Sequence, residues 1–480
     1  MQGRVVIHVV GVLTAFAGVS MIVPAVISFA YREPAALQIL LSGGITMACG
    51  YLAYRSTRPI GDISIRDGFA IVTLGWVSVS AFGSLPFLLT GSIPSVAGAF
   101  FETMSGFTTT GATVVPQIDL LPRGIVFWRS LSHWLGGMGI IVLSVAILPL
   151  LGVGGMQLMQ AEIPGLAPDR LRPRVRQTAA ILWVVYAILT VAEIVLLLFG
   201  GMTAFEAVNH AFATLATGGF STEDASVGAF PSPYLQYVIA IFCVLAGMNF
   251  TLHHNWLTGN WRAVLRNREL RVYLAILAVS TALLTVIVYV PGHFGGLEES
   301  FRSSFFQAAS LMTTTGFVTV DYELWAPAAH VVLFLLMLIG GCTGSTSGAV
   351  KVLRYMLVAK EARVSLRRLL HPAGVFVYKL DGRTVSDDVL ANVSGFLLLY
   401  LGALAMGVLA LTLLGLDSRT AAGAAAATLG NVGPGLGLVG PSTTYAGMSG
   451  AALWVMSALM LLGRLEIFTV IILFTRGYWR

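Results

Sequence analysis

The sequence predicts an all-α polytopic membrane protein. Four pseudo-repeated units, each a helix, a pore helix, a filter loop and a second helix, are expected around one pore, after an extra N-terminal helix pair. Three observations predict this architecture: few charges, ten apolar runs and a glycine-centred segment that occurs four times. Hydrophobic residues make up 56% of the 480 residues and charged residues 10%, whereas soluble domains carry roughly 25% charged residues. Much of the surface therefore needs a lipid bilayer as its solvent.

Ten apolar runs are long enough to cross a membrane, for which a helix needs about 20 residues. We predict spans at residues 5–30, 36–54, 68–89, 125–151, 178–199, 234–256, 272–290, 328–357, 389–414 and 450–474, the eighth being interrupted. Taking alternate gaps as one side places 22 of the 28 Lys and Arg residues there. By the positive-inside rule, this side, with both termini, is expected to be cytoplasmic.

Composition and motifs argue against several other classes of protein. The net charge of +6 does not indicate nucleic-acid binding, because the basic residues lie in short gaps between apolar runs. Cys49, Cys243 and Cys342 match neither a disulfide framework nor a zinc spacing. A membrane-embedded enzyme would need convergent acidic or histidine side chains, for which only Glu193 and Glu466 are candidates. We expect no enzyme, no organic cofactor and no nucleic-acid partner.

The glycine-centred segment defines an internal repeat. Its copies, named glycine loops 1 to 4, are residues 105–113 (SGFTTTGAT), 213–221 (ATLATGGFS), 310–318 (SLMTTTGFV) and 427–435 (ATLGNVGPG). The seventh residues of the aligned copies are Gly111, Gly219, Gly316 and Gly433. Each copy follows a short apolar segment in an outer gap. Non-helical backbone at membrane depth is tolerated only where it lines a cavity or is buried in protein.

This arrangement is typical of a cation pore. A short helix directs the negative end of its dipole at the pore, and rings of loop carbonyls can replace the hydration shell of K⁺. The predicted filter residues are Thr109, Thr110, Gly111, Thr217, Gly218, Gly219, Thr314, Thr315, Gly316, Asn431, Val432 and Gly433. Helix packing or a turn would explain one such glycine, but four matched copies favour a pore. Loop 4 carries Gly430 and Asn431 in place of threonines, so fourfold symmetry should be approximate.

Residues 340–348 (GGCTGSTSG), named the small-residue segment, interrupt the eighth span. Glycine costs about 1 kcal/mol per residue in a helix interior, so four glycines among small polar residues should break the helix. A broken helix at mid-membrane must lie in a cavity or within protein. Lys351 and Arg354 follow the segment directly.

The glycine loops with their flanks, residues 128–139, residues 340–354 and residues 463–468 resemble the Trk/Ktr/HKT superfamily of potassium transporters, and within it the bacterial TrkH/TrkG type. The resemblance covers essentially the whole chain, including the extra helix pair. It implies potassium uptake across the bacterial cytoplasmic (inner) membrane, with K⁺ as the bound and transported ion. Glycine at all four filter positions goes with K⁺ preference in this superfamily. The resemblance also implies a homodimer with one pore per protomer and a cytoplasmic nucleotide-binding regulatory subunit of the TrkA type.

The resemblance further implies that the small-residue segment is a gating loop beneath the filter. Our hypothesis is that it obstructs the pore at rest and moves when the regulator changes its nucleotide; a close-packed helix kink is the alternative. The predicted gating residues are Gly340, Gly341, Gly344, Gly348, Lys351, Arg354 and Arg464. Arg464 should face a cavity or a carbonyl partner rather than lipid, because an intramembrane Arg costs roughly 2.5–3.5 kcal/mol. Our hypothesis is that it lies near the segment and limits cation passage when the gate is closed. A pair with Glu466 is not expected, because residues two apart do not share a helix face.

Outer acidic residues could concentrate cations at the pore mouth or form a solvated rim: Glu102, Glu206, Glu223, Asp224, Asp321 and Glu323. The alternative function is a symporter coupling K⁺ to H⁺ or Na⁺, since broken helices are also typical of transporters. Four units in one orientation favour the pore. The predicted divisions are a helix pair at 1–60, repeats at 61–165 and 166–262, a third repeat with the gating loop at 263–370, and a fourth at 371–480.

Overall fold

The computed structural model describes residues 2–57, 64–146, 171–371, 374, 379–380 and 383–479. The N-terminal pair consists of Gly3–Ser20, continued by Ile22–Ala30, and of Ala35–Ser56. Small residues let these helices approach closely: a Cβ added to Gly11 would lie 2.8 Å from the carbonyl oxygen of Gly50. One short antiparallel hairpin pairs Lys379–Leu380 with Arg383–Thr384.

Four units follow the pair, each with a long helix, a buried short helix and a returning helix. Unit 1 is Ile65–Gly83, Leu85–Leu89, half-helix 1 (Val96–Phe107) and Arg123–Ala146. Unit 2 is Leu171–Phe199, half-helix 2 (Ala204–Leu215), Pro233–Ala246, Phe250–Leu257 and Trp261–Arg266. Unit 3 is Arg268–Tyr289, half-helix 3 (Leu297–Met312), Pro327–Ile339 and Val352–Leu370. Unit 4 is Asp387–Leu413, half-helix 4 (Ser418–Leu429), Gly450–Arg464, Phe468–Ile471 and Arg476–Trp479.

Among the described residues, six helices are long and apolar enough to cross a membrane, or up to eight if each bent pair is one span. The interruption predicted at residues 340–348 is present, between Pro327–Ile339 and Val352–Leu370. The predicted boundaries at 60/61 and 165/166 and the end of the fourth span, at 147–151, lie outside the described residues.

Two spans expected to be continuous are bent, so that expectation was wrong. Pro233–Ala246 and Phe250–Leu257 meet at 102°, and Gly450–Arg464 and Phe468–Phe474 meet at 111°. At the first bend Asn249 caps the new helix by accepting the Thr251 amide at 2.8 Å, as N-cap residues do. At the second bend Glu466 and Ile467 have φ of 55° and 54°, which a helix cannot contain.

The half-helices lie at the centre of the molecule. One hydrophobic cluster joins units 2 and 3, and a second joins the N-terminal pair with units 1 and 4. Half-helix 4 packs its residues 424–427, all alanine, at 0% exposure. The long helices instead expose apolar side chains, such as Leu37 and Leu398, each at 74%. Such a surface suits a bilayer, and it leaves the non-helical loops enclosed by protein.

Candidate ion-conduction site

The four glycine loops share one backbone conformation. The residue two before the central glycine is left-handed in every loop, with φ of 52° at Thr109, 54° at Thr217, 59° at Thr314 and 54° at Asn431. The central glycines have φ of 81°, 77°, 81° and 100° in chain order. In each loop the amide just before the glycine donates to a carbonyl five residues back at 2.8 Å. Threonine rarely adopts left-handed φ, and such strain persists where the surrounding structure enforces it.

The loops meet in a closed ring, each central glycine facing a carbonyl of the next loop in chain order. A Cβ added at Gly111 would lie 2.0 Å from Gly218 O, and one added at Gly219 would lie 2.1 Å from Thr315 O. A Cβ added at Gly316 would lie 1.9 Å from Val432 O, and one added at Gly433 would lie 2.6 Å from Thr110 O. These distances leave no space for a side chain at any of the four positions. The structure therefore brings the predicted filter residues together around one axis.

The four central glycines also line one cavity of about 170 Å³. Arg129, Glu223 and Asp224 share its wall with residues 439–445. The loops continue from the C-terminal ends of the half-helices, where the helix dipole favours a cation. Backbone carbonyls and this dipole can together coordinate a dehydrated cation. Within the described residues no group of three His, Cys, Asp or Glu side chains could hold a metal ion.

A polar side chain nine residues before the central glycine braces each of the first three loops. Thr113 donates to Glu102 Oε1 at 2.9 Å, His210 Nε2 lies 3.0 Å from Ser221 Oγ, and Gln307 donates to Thr319 Oγ1 at 3.2 Å. Glu102 is fully buried and pairs with Arg129 Nε at 2.8 Å. It therefore lies on no solvated rim, because its charge is neutralised inside the protein.

The other outer acids have different settings. Glu206 caps half-helix 2, Asp224 accepts the Ile118 amide at 2.5 Å, and Glu323 accepts the Gly437 amide at 2.8 Å. Glu223 lies partly buried in the cavity wall. Burial, together with the nearby charges of Asp119 and Glu206, raises the pKa of the Glu223 carboxyl above its usual value. Glu223 and Asp224 are the outer acids that line this cavity.

Loop 4 is held differently, as its sequence predicts. Ala424 occupies the position of the bracing side chain, and the Tyr445 hydroxyl donates instead to Gly433 O at 2.8 Å. Asn431 donates to Thr110 Oγ1 at 3.0 Å and to Met460 O at 2.9 Å. Sequence reasoning missed Tyr445, because it lies outside the repeated segment and a lone tyrosine carries no motif.

The small-residue segment lies across the C-terminal ends of three half-helices. Thr346 donates to Leu215 O at 3.0 Å and Ser347 to Thr313 O at 2.7 Å. The amide of Ala349, the residue directly after the segment, donates to Gly430 O at 3.0 Å. The glycines permit this contact. A Cβ added at Gly348 would lie 2.3 Å from Gly430 O, and one added at Gly341 would lie 2.6 Å from Gly247 O. Gly340 and Gly344 both have φ of 79°, which side chains disfavour. The segment is thus packed against the C-terminal ends of these half-helices, from which the glycine loops continue.

Arg464 is buried beside the segment and faces carbonyls. Its Nη1 donates to Thr346 O at 2.7 Å and its Nη2 to Gly136 O at 3.3 Å. Gly136 in turn packs on the end of half-helix 1, where a Cβ would lie 2.0 Å from Phe107 O. One guanidinium therefore joins the segment of unit 3 to unit 1.

Lys351 and Arg354 meet a buried acid that sequence reasoning did not assign to them. Lys351 Nζ lies 3.0 Å from Glu466 Oε1, and Arg354 donates to Glu466 Oε2. The Arg354 guanidinium also lies 3.9 Å from the centre of the Phe396 ring. The sequence contains one signal for this pairing: an acid lies inside one span, and two basic residues follow the break in another. Because buried charges need partners, these residues could have been expected to meet. The contacts that the structure describes for Arg464 include no hydrogen bond or ion pair with Glu466.

Comparison with known proteins places these features in a family. The family model for TrkH, described as a cation transport protein, matches residues 37–478. The Trk system potassium uptake proteins TrkH of Salmonella typhimurium and Escherichia coli are each 40% identical over 484 residues, covering 100% of both chains. The crystal structure of the potassium transporter TrkH from Vibrio parahaemolyticus has a TM-score of 0.92 at 37% identity and covers 100% of both chains. This chain therefore belongs to the TrkH family of cation transport proteins.

Proposed function

We propose that this protein takes up potassium across the bacterial cytoplasmic membrane through a channel-like pore, and that the four glycine loops form its selectivity filter. The observation that carries the proposal is the closed ring in which each central glycine faces a carbonyl of the next loop. The relatives compared above bear the name of potassium uptake proteins.

In this mechanism K⁺ enters the cavity beside Glu223 and Asp224 and exchanges its water for loop carbonyls. The oxygens come from the predicted filter residues, with Thr110 and Thr315 in the Thr-rich loops. The half-helix dipoles stabilise the dehydrated ion without supplying a full negative charge. A neutral ring of this kind binds an ion firmly enough to dehydrate it and weakly enough to release it.

The small-residue segment acts as the gate in this proposal. It is bonded to the ends of half-helices 2, 3 and 4, and Arg464 ties it to unit 1. In this arrangement the segment and the guanidinium charge obstruct the inner side of the filter. Opening requires the loss of these bonds and movement of Val352–Leu370. A cytoplasmic nucleotide-binding subunit of the TrkA type would drive that movement in a homodimer, in keeping with the system named for the relatives.

Ion flux into vesicles containing the purified protein tests the function. Uptake should be faster for K⁺ and Rb⁺ than for Na⁺, and equal uptake of K⁺ and Na⁺ would contradict the filter. Single-channel recording separates the pore from a symporter, because unitary currents are incompatible with strict alternating access. Removal of residues 344–348 tests the gate: resting K⁺ flux should increase, and unchanged flux and regulation would refute it.

A further inference from the structure

A second cavity, remote from the glycine loops, lies between two helices of unit 3. It has a volume of about 550 Å³ and separates Arg268–Tyr289 from Val352–Leu370. Four basic side chains line it: Arg268, Lys360, Arg363 and Arg367. Its lining, which lies within the described part of the chain, contains no acidic side chain.

Two of these basic residues, Arg363 and Arg367, lie one turn apart on Val352–Leu370 and share one of its faces. In the part of the chain that the structure describes, neither guanidinium pairs with an acid; Glu361, on the same helix, accepts the hydroxyl of Ser394 at 3.0 Å. This pair of guanidinium groups therefore suits an anion.

Apolar side chains also line the cavity. Val272 and Ile276 are four residues apart, so they share one face of their helix, as Val352 and Met356 do on the other helix. Along Val352–Leu370 the lining residues Val352 and Met356 come first, and the basic residues Arg363 and Arg367 come last. This wall of the cavity is therefore apolar at one end and basic at the other.

We propose that this cavity binds an anionic phospholipid. Arg363 and Arg367 hold the headgroup phosphate, with which guanidinium groups form paired hydrogen bonds, and an acyl chain lies along Ile276 and Met356. Basic pockets between membrane helices on the cytoplasmic side bind such headgroups. A free phosphate would use only the basic end, whereas a phospholipid matches both ends. Because Val352 follows Lys351 directly, the lipid would join the helix after the small-residue segment to Arg268–Tyr289.

Native mass spectrometry of the full-length protein in detergent tests the site, with phosphatidylglycerol and phosphatidylcholine as probes. We expect preferential retention of phosphatidylglycerol. The double variant Arg363→Gln/Arg367→Gln should weaken its binding roughly 10- to 30-fold. The matched control, Arg262→Gln/Arg266→Gln, removes the same charge from exposed residues outside the cavity lining and should leave binding unchanged. Equal retention of both lipids, or equal effects of the two double variants, would overturn the proposal.

The variant Met356→Trp separates a lipid from a free phosphate. It fills the apolar end and keeps all four basic residues, so it should reduce phosphatidylglycerol retention. Two results together would assign the site to phosphate and refute the lipid proposal: full competition of inorganic phosphate with the lipid, and unchanged lipid binding by Met356→Trp. If Arg363→Gln/Arg367→Gln changes the oligomeric mass but retains the lipid, this face is a contact between protein chains, and the lipid proposal is refuted. Lipid retention is measured without ion flux, so these results are independent of the transport function.

Discussion

The hydroxyl of Tyr445 donates a 2.8 Å hydrogen bond to the carbonyl oxygen of Gly433. In the described part of the chain, the carbonyls of Gly111, Gly219 and Gly316 accept no side-chain hydrogen bond of this kind. The tyrosine therefore fixes the orientation of the carbonyl of the central glycine of loop 4, the loop whose glycine has the largest φ, 100°.

Replacing this tyrosine should reduce ion selectivity. In Tyr445→Phe the Gly433 carbonyl loses a bond worth about 1 kcal/mol, so we expect the K⁺/Na⁺ flux ratio to fall by up to ~5-fold. Vesicle flux with each ion measures this ratio. Tyr234→Phe, which removes an exposed hydroxyl bonded to Leu196 O, is the control. A ratio equal to wild type in both variants would show that Tyr445 does not position the loop.

A side chain at a central glycine should disrupt the ring. A Cβ at Gly316 would lie 1.9 Å from Val432 O, so Gly316→Ala must displace loop 4. Overpacking costs about 1–3 kcal/mol, and we expect K⁺ flux to fall ~10-fold or more. Gly402→Ala provides the control, because nothing lies within 4 Å of the added Cβ. Normal flux and selectivity in Gly316→Ala would contradict the filter geometry.

Loss of the Arg464 charge should release the small-residue segment. Arg464→Gln removes the charge and weakens the bond to Thr346 O, so resting K⁺ flux should rise while K⁺ preference is retained. Arg464→Lys keeps the charge and should stay closer to wild type. Arg476→Gln, at an exposed position of the helix Arg476–Trp479, is the control for expression and insertion. Wild-type flux in Arg464→Gln would refute a role in gating.

The buried charge cluster should contribute strongly to stability. Glu466→Gln leaves Lys351 and Arg354 buried without their acid, which typically costs about 3–5 kcal/mol. Denaturant unfolding in detergent measures the change. Glu298→Gln breaks the exposed pair with Arg302, in which Glu298 is 61% exposed, and should cost at most about 1 kcal/mol. Similar losses of unfolding free energy in the two variants would show that the buried cluster stabilises the protein no more than an exposed ion pair does.

Glu223 should make potassium entry depend on pH. Its pKa lies above the ordinary value, so it gains a proton, and loses its charge, at a higher pH than an ordinary glutamate. K⁺ flux should therefore begin to fall, as the pH is lowered, before exposed carboxylates titrate. Glu223→Gln should have reduced flux at neutral pH and lack this early decrease. The control is Glu299→Gln, because Glu299 is exposed and lies outside the cavity lining; this variant should keep the wild-type dependence of K⁺ flux on pH. If Glu223→Gln also keeps that dependence, Glu223 is not the titrating group.

The sequence predicts the repeated architecture because each glycine loop carries its own signal. Thr and Gly at matched positions after a short apolar segment predict the loop, and four copies predict the ring that the structure contains. The approximate symmetry was equally accessible, since Asn431 stands where other loops have threonine. These features depend on residues close together in the chain.

Contacts between distant parts of the chain could not be predicted in the same way. The bends at Asn249 and Glu466 occur inside apolar runs, where hydropathy indicates continuous helices. The pairing of Glu466 with Lys351 spans 115 residues, and neither residue identifies its partner from local sequence. Tyr445 likewise reaches Gly433 through a fold that no motif encodes.

The small-residue segment exists in one unit alone among those described, although the ring around it has four members. A channel assembled from four identical subunits would carry four such insertions, and they would compete for the same narrow space on the symmetry axis. Joining the repeats covalently removes that conflict. In the proposed gating mechanism a single segment closes the passage and is withdrawn by one displacement, so the other three repeats need not carry such an insertion.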